Sequence, residues 1–323
     1  MTPEPGSIDS MLPAAEPAPR SEKPSGFRNI FIGSQGIRAG WRLVMFIALF
    51  AVLLNIVQNA IRLIPGAREL FAQSQVNGVL TPTFSLIFES SSLAVALLAA
   101  WIMSRIEKRS FDLYGIPREG AFGKFFWQGI AWGLAFESIE MVIIAALGGF
   151  TFGSLALAGF ALVKYAVLWA ISFVLVGLFE EFLFRGYVQY TLGSGIGFWP
   201  SAILISAIFG ATHLTNPGEG WVGALSVFTF GIFACLTLQR TGSLWFAIGF
   251  HAAGDYAETF IYSTPDSGLL AQGHLLNSSF HGPNWLTGGT IGPEGSAIDF
   301  VVFALAFVAF VLLYPPKKSP SEI

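Results

Sequence analysis

Phe179-Glu180-Glu181-Phe182-Leu183-Phe184-Arg185 lies inside an apolar stretch that runs from about residue 162 to 192. An ionised side chain in the middle of an apolar helix costs about 2.5–3.5 kcal/mol on insertion scales. Three charges in six residues therefore need partners or a task. Glu181 and Arg185 are four apart, share a helix face and are spaced for a carboxylate–guanidinium pair. Glu180 points about 100° away from Glu181 and is left for another role. One arginine cannot compensate two carboxylates, so packing alone explains Glu180 poorly.

Outward from this stretch the chain stays apolar. Hydrophobic residues make up 54% of its 323 residues and charged residues 11%. Soluble chains carry roughly 25% charged residues, too many for this one to resemble them. Eight apolar runs are long enough, or nearly so, to cross a bilayer core of about 30 Å. They fall near 41–64, 82–104, 125–148, 162–192, 199–214, 221–239, 243–262 and 297–314. The fold expected is an all-α polytopic membrane bundle of about eight transmembrane helices, with the lipid bilayer as its surroundings. Residues 1–38, rich in Pro, Ser and Glu, are expected to form a disordered cytoplasmic tail. Residues 39–316 would form the membrane core, with the informative motifs at 160–262, and 317–323 a short C-terminal tail. The first apolar run begins only near Trp41, so no cleaved signal is expected.

Lys and Arg cluster before the first run, between the second and third, and after the eighth. Under the positive-inside rule this places both termini in the cytoplasm. The net charge of −3 and the lack of a basic cluster argue against a nucleic-acid partner. The single cysteine, Cys235, excludes an internal disulfide and a cysteine-based metal site.

Two further runs carry polar groups in helical register. The fifth contains Phe209-Gly210-Ala211-Thr212-His213, and the seventh His251-Ala252-Ala253-Gly254-Asp255. Asp255 is placed to orient the imidazole of His251 one turn away. Glu180, His213 and His251 lie about 20, 21 and 14 Å from the expected cytoplasmic ends of their helices, at 1.5 Å per residue. The three can therefore meet near mid-membrane. Glu and His are residues that activate water or bind a catalytic metal. Glu137, Glu140, Glu89 and Glu258 are read as packing or cavity residues, with Lys164 a possible partner for the first two.

Glu-Glu-x-x-x-Arg at 180–185, Phe-x-x-x-His at 209–213 and His-x-x-x-Asp at 251–255 together resemble the CAAX-protease and bacteriocin-processing (CPBP, or Abi) family of intramembrane proteases. Many members have Asn where this chain has Asp255. The resemblance implies an intramembrane endopeptidase in which Glu180 activates water with help from His213. His251 and Asp255 would stabilise the oxyanion, while Glu181 and Arg185 order the site. Phe209 is a supporting position of the second motif. The resemblance leaves metal dependence open. With Zn²⁺, Glu180, His213 and His251 would be ligands and Glu181 the base; without it, a Glu–His pair acts directly. The implied substrate is a membrane-associated or prenylated peptide or protein, cut by CAAX prenyl endopeptidase activity or in a related bacterial processing or immunity role. The expected location is an integral membrane one, the plasma membrane if the source is bacterial. A non-catalytic immunity or scaffold protein is the alternative, and a proton-coupled transporter the third reading.

Overall fold

The computed structural model describes residues 26, 28–33, 36–71 and 79–316. It divides into two compact units, one ending at Arg38 and one beginning at Ala39. In the first, Arg28–Phe31 form a short helix, and Ile32–Gly33 pair antiparallel with Gly36–Ile37. The rest of the expected N-terminal tail and the 317–323 tail lie outside the described residues.

The second unit is helical. Its long helices are α1 (Ala39–Arg62), α2 (Pro82–Glu107), α3 (Lys124–Ala146), α4 (Gly159–Ile196), α5 (Phe198–His213) and α6 (Trp221–Thr241). They are followed by α7, which joins Trp245–Asp255 to Tyr256–Tyr262, and α8 (Ala297–Leu313). All eight apolar runs are thus helical, with ends within a few residues of those expected. Five of them, α1 to α4 and α6, are long and apolar enough to cross a membrane; α5 and α8 are shorter. Local chemistry sets the helix ends. The Thr81 hydroxyl accepts from the Phe84 N–H, Pro82 opens α2, and Lys108 closes it in the left-handed region.

α7 is the hub. Every residue from Trp245 to Ala253 is buried. A helix apolar and buried all round belongs at the centre of a bundle. α3 and α4 pack against it, α2 covers α4, and α1 lies on α2. α5 pairs with α6, and α8 packs on α3 and α6. On α8, Val301, Leu305, Val308 and Leu312 form an exposed apolar stripe suited to lipid.

Glycines let α3 and α7 touch backbone to backbone. A β-carbon at Gly129 would overlap the Phe246 carbonyl oxygen, and one at Gly249 the Phe126 carbonyl. Gly133 meets the Phe250 carbonyl in the same way. The Gly129-x-x-x-Gly133 spacing, weak as a sequence signal, marks this contact. Gly129→Ala should destabilise the chain by about 1–3 kcal/mol through overpacking, read as a lowered unfolding midpoint in detergent. Unchanged stability would mean that the two helices separate freely.

The bundle has two distinct ends. At one, Glu107 forms a buried ion pair with Arg42 and a partly exposed one with Arg109, and accepts from the Tyr187 hydroxyl. Arg42 also donates to Ser194 Oγ at 3.1 Å, so α1, α2 and α4 are tied together. At the other end Phe150–Thr151 pair with Ser279–Phe280, and Val79–Leu80 with Leu270–Ala271. Asp112 precedes the first residue of α3, and Phe280 sits beside the strand that follows its last. Reporter fusions at 112 and 280 should therefore report opposite sides of the membrane. Signals from the same side would overturn this arrangement.

Candidate active site

Glu180 and Glu181 sit near the middle of α4, just before a π-helical segment at Phe182–Val188. α7 changes in the same way after Asp255, with π-helix at Tyr256–Tyr262. Widened turns of this kind are frequent at functional sites, because they re-aim side chains without ending the helix.

Glu181 is fully buried and holds two partners with one oxygen. Arg185 Nη1 donates to its Oε1 at 2.9 Å, and His251 Nδ1 lies 3.1 Å from the same atom. The Arg185 guanidinium stacks over the rings of Phe209 and Phe230, 4.3 and 5.5 Å from their centroids. Gly231 leaves room for it, since a β-carbon there would come within 2.7 Å of Arg185 Nη2.

The second nitrogen of His251 faces the cavity. Its Nε2 lies 3.5 Å from Asp255 Oδ2 and 3.7 Å from Glu180 Oε2. Asp255 is therefore beside the imidazole as its spacing predicts, although Glu181 makes the shorter contact. Carboxylate oxygens face both ring nitrogens, an arrangement satisfied by an imidazole carrying N–H at each position. Phe230 packs edge-on against this ring, 4.8 Å between centroids. Glu180 Oε2 is buried and has no hydrogen bond.

His213 comes in from α5. Its Nδ1 donates to the Phe209 carbonyl at 2.9 Å, which leaves Nε2 as an acceptor. The ring also packs edge-on against Phe209, whose other neighbours include Arg185, Phe184, Phe230 and His251. Phe209 is thus the apolar wedge between the three motifs.

Glu180, His213, His251 and Asp255 all line one cavity of about 610 Å³. Glu181 and Arg185 lie behind this wall. Eight carboxylates line the cavity: Glu89, Glu137, Glu180, Asp255, Glu258, Asp266, Glu294 and Asp299. No Lys or Arg is among its described lining residues. Lys164 does not pair with Glu137 or Glu140; it is exposed and lies over the Tyr165 ring. Its long polar head reaches water more cheaply than the buried carboxylates. Asp266, Glu294 and Asp299 were not evident as cavity residues, because they lie far along the chain in the long loop and at the start of α8. Phe230 carried no signal beyond being one aromatic among many. Burial pushes the Asp266 carboxyl up to about 6, and burial followed by the Asp266 charge raises Glu294.

The donor chemistry of Glu180, His213 and His251 suits zinc, but their positions do not. The only group of three or more such residues among those described with donor atoms all within 4.8 Å is Glu258, Asp266 and Glu294.

A helical membrane bundle that gathers Glu, His and Asp around an internal cavity has the composition of an intramembrane hydrolase. Residues 162–257 match the family described as type II CAAX prenyl endopeptidase, Rce1-like. The match covers all three motifs and supports their assignment to the CAAX-protease and bacteriocin-processing family, that is, a CAAX-type intramembrane protease at family level. Together with the long apolar helices, it supports an integral membrane protein. No curated protein compared with the chain matches it.

Proposed function

We propose that the chain is an endopeptidase that hydrolyses a membrane-associated peptide with water activated by Glu180. The observation that carries this is the Glu180 carboxylate in the lining of the cavity it shares with His213 and His251, its Oε2 without a hydrogen bond. A carboxylate kept free of hydrogen bonds in a cavity is available to accept a proton.

Water in the cavity gives a proton to Glu180 as its oxygen attacks the scissile carbonyl carbon. His213 Nε2 accepts the second water hydrogen bond and holds the nucleophile in place. The carbonyl electrons move to oxygen, and the oxyanion faces the N–H of His251. Asp255 and Glu181 hold that ring and balance its positive charge. Glu180 then returns its proton to the leaving nitrogen as the C–N bond breaks. No step requires a metal.

Phe84, Phe88 and Phe173 add apolar surface to the cavity lining. This surface suits the lipid chain of a prenylated substrate or an apolar peptide segment. The Lys/Arg distribution favours cytoplasmic termini, which puts the Phe280 end outside. Cleavage of a prenylated CAAX peptide by the purified chain, compared with Glu180→Gln, tests the proposal. Loss of cleavage by a folded variant is the expected result.

A further inference from the structure

Glu258, Asp266 and Glu294 each offer a carboxylate oxygen within 4.8 Å of the others. They come from the end of α7, the loop after it, and the turn before α8. Each carboxylate in the loops is held on one side. Asp266 Oδ2 accepts from the Thr259 hydroxyl at 2.9 Å. Glu294 Oε2 accepts from the Ser267 N–H and hydroxyl at 3.0 and 2.7 Å. The second oxygen of each has no hydrogen bond among the described residues.

Glu258 is different. It is only 2% exposed, and its Oε1 is buried without any hydrogen-bond partner. Glu140, 1% exposed, has neither oxygen bonded, and the charges it feels are those of Asp299, Glu137 and Glu294. Oxygen atoms also converge at Gly292, whose φ of +107° places it in a region that favours glycine. A β-carbon there would lie 2.9 Å from Glu258 Oε1 and would overlap the Pro265 carbonyl oxygen.

Unpartnered buried carboxylates are costly while ionised, and a bound cation is one way to neutralise them. His213 and His251 are the only basic side chains lining the cavity among the described residues, and both are engaged at the other cluster. We propose that Glu258, Asp266 and Glu294 bind a hard divalent cation, with Ca²⁺ as the fitting species. The donors are all oxygen, carboxylate and carbonyl, without the nitrogen or sulfur that zinc prefers. The Thr259 and Ser267 hydrogen bonds do the work of outer partners that fix ligand orientation. The cation would clamp the loop after α7 to the turn before α8, one helical turn beyond Asp255.

The test uses the full chain in nanodiscs, stripped with chelator, and equilibrium dialysis against ⁴⁵Ca²⁺, with Mg²⁺ in a parallel arm. One Ca²⁺ should bind per chain, saturably, and raise the unfolding midpoint. Thr259→Val keeps the side-chain shape and removes the hold on Asp266, so affinity should fall about 10–100-fold. Glu294→Gln should weaken binding at least as much. His251→Ala, in the motif cluster, should still bind Ca²⁺. If Glu294→Gln fails to fold, Thr259→Val decides alone. Absence of saturable uptake of either cation by the wild-type chain overturns the proposal. So does unchanged binding in folded Thr259→Val, or a loss of binding in folded His251→Ala, which would put the cation at the motif cluster.

Discussion

Glu180→Gln is expected to lower peptide cleavage by about 10²–10⁴-fold, the usual loss on removing a general base. The substitution keeps the shape of the side chain and removes its charge and basicity. Stability should change little or rise slightly, because Glu180 Oε2 has no hydrogen bond to lose and sits among other carboxylates. That pairing of a dead enzyme with an intact fold separates chemistry from packing. His213→Ala should give a similar loss, since His213 would steer the same water. Groups acting on one step are strongly non-additive, so the double variant should be little worse than either single one. Full cleavage by Glu180→Gln would assign the polar cluster to packing or to a proton path. Cleavage rates on a prenylated peptide, measured beside thermal unfolding, read both quantities.

Arg185→Ala is expected to fail in the opposite manner, by unfolding. Both members of the Arg185–Glu181 pair are fully buried. Removing one partner of such a pair costs about 3–5 kcal/mol, because the remaining charge is stranded. The loss includes the guanidinium stacked on Phe209 and Phe230 and the space it fills beside Gly231. His251 still holds Glu181 Oε1, which tempers the loss and keeps it within that range. Arg185→Lys should recover only part of the stability, since an ammonium cannot stack flat while donating to the carboxylate. Yield and unfolding midpoint in detergent are the readouts. A stable Arg185→Ala with normal activity would show that Glu181 is neutral or otherwise compensated.

The helices were legible because membrane burial demands long apolar runs, and those runs are interrupted by Gly, Pro and charge. Helical period alone put Glu181 with Arg185 and His251 with Asp255. It could not show that Glu181 reaches across to His251, 70 positions away, since that contact depends on how α4 and α7 cross. The crossing is set by small residues such as Gly177, whose β-carbon would press on the Ile248 carbonyl. Spacing cannot reveal such a contact. Carboxylates of the long loop were visible as residues but not as neighbours, because no periodicity links a loop to a helix end. The shortness of α5 was legible, because Pro200 and Thr215-Asn216-Pro217-Gly218 bound its run.

The π-helical turns after Glu181 and after Asp255 have a consequence for how the chain can change over time. A π-turn is an α-helix that has taken in one extra residue. Losing a residue between Phe182 and Val188 would let that segment relax to ordinary helix, so the backbone itself would not resist the deletion. The helix beyond it would keep close to its present faces, because the widened turn is what takes up the extra residue. Side chains inside the turn would be re-aimed instead, Arg185 and its bond to Glu181 among them. Here, then, the backbone tolerates a shorter chain, and the aim of the motif side chains is what such a change puts at risk.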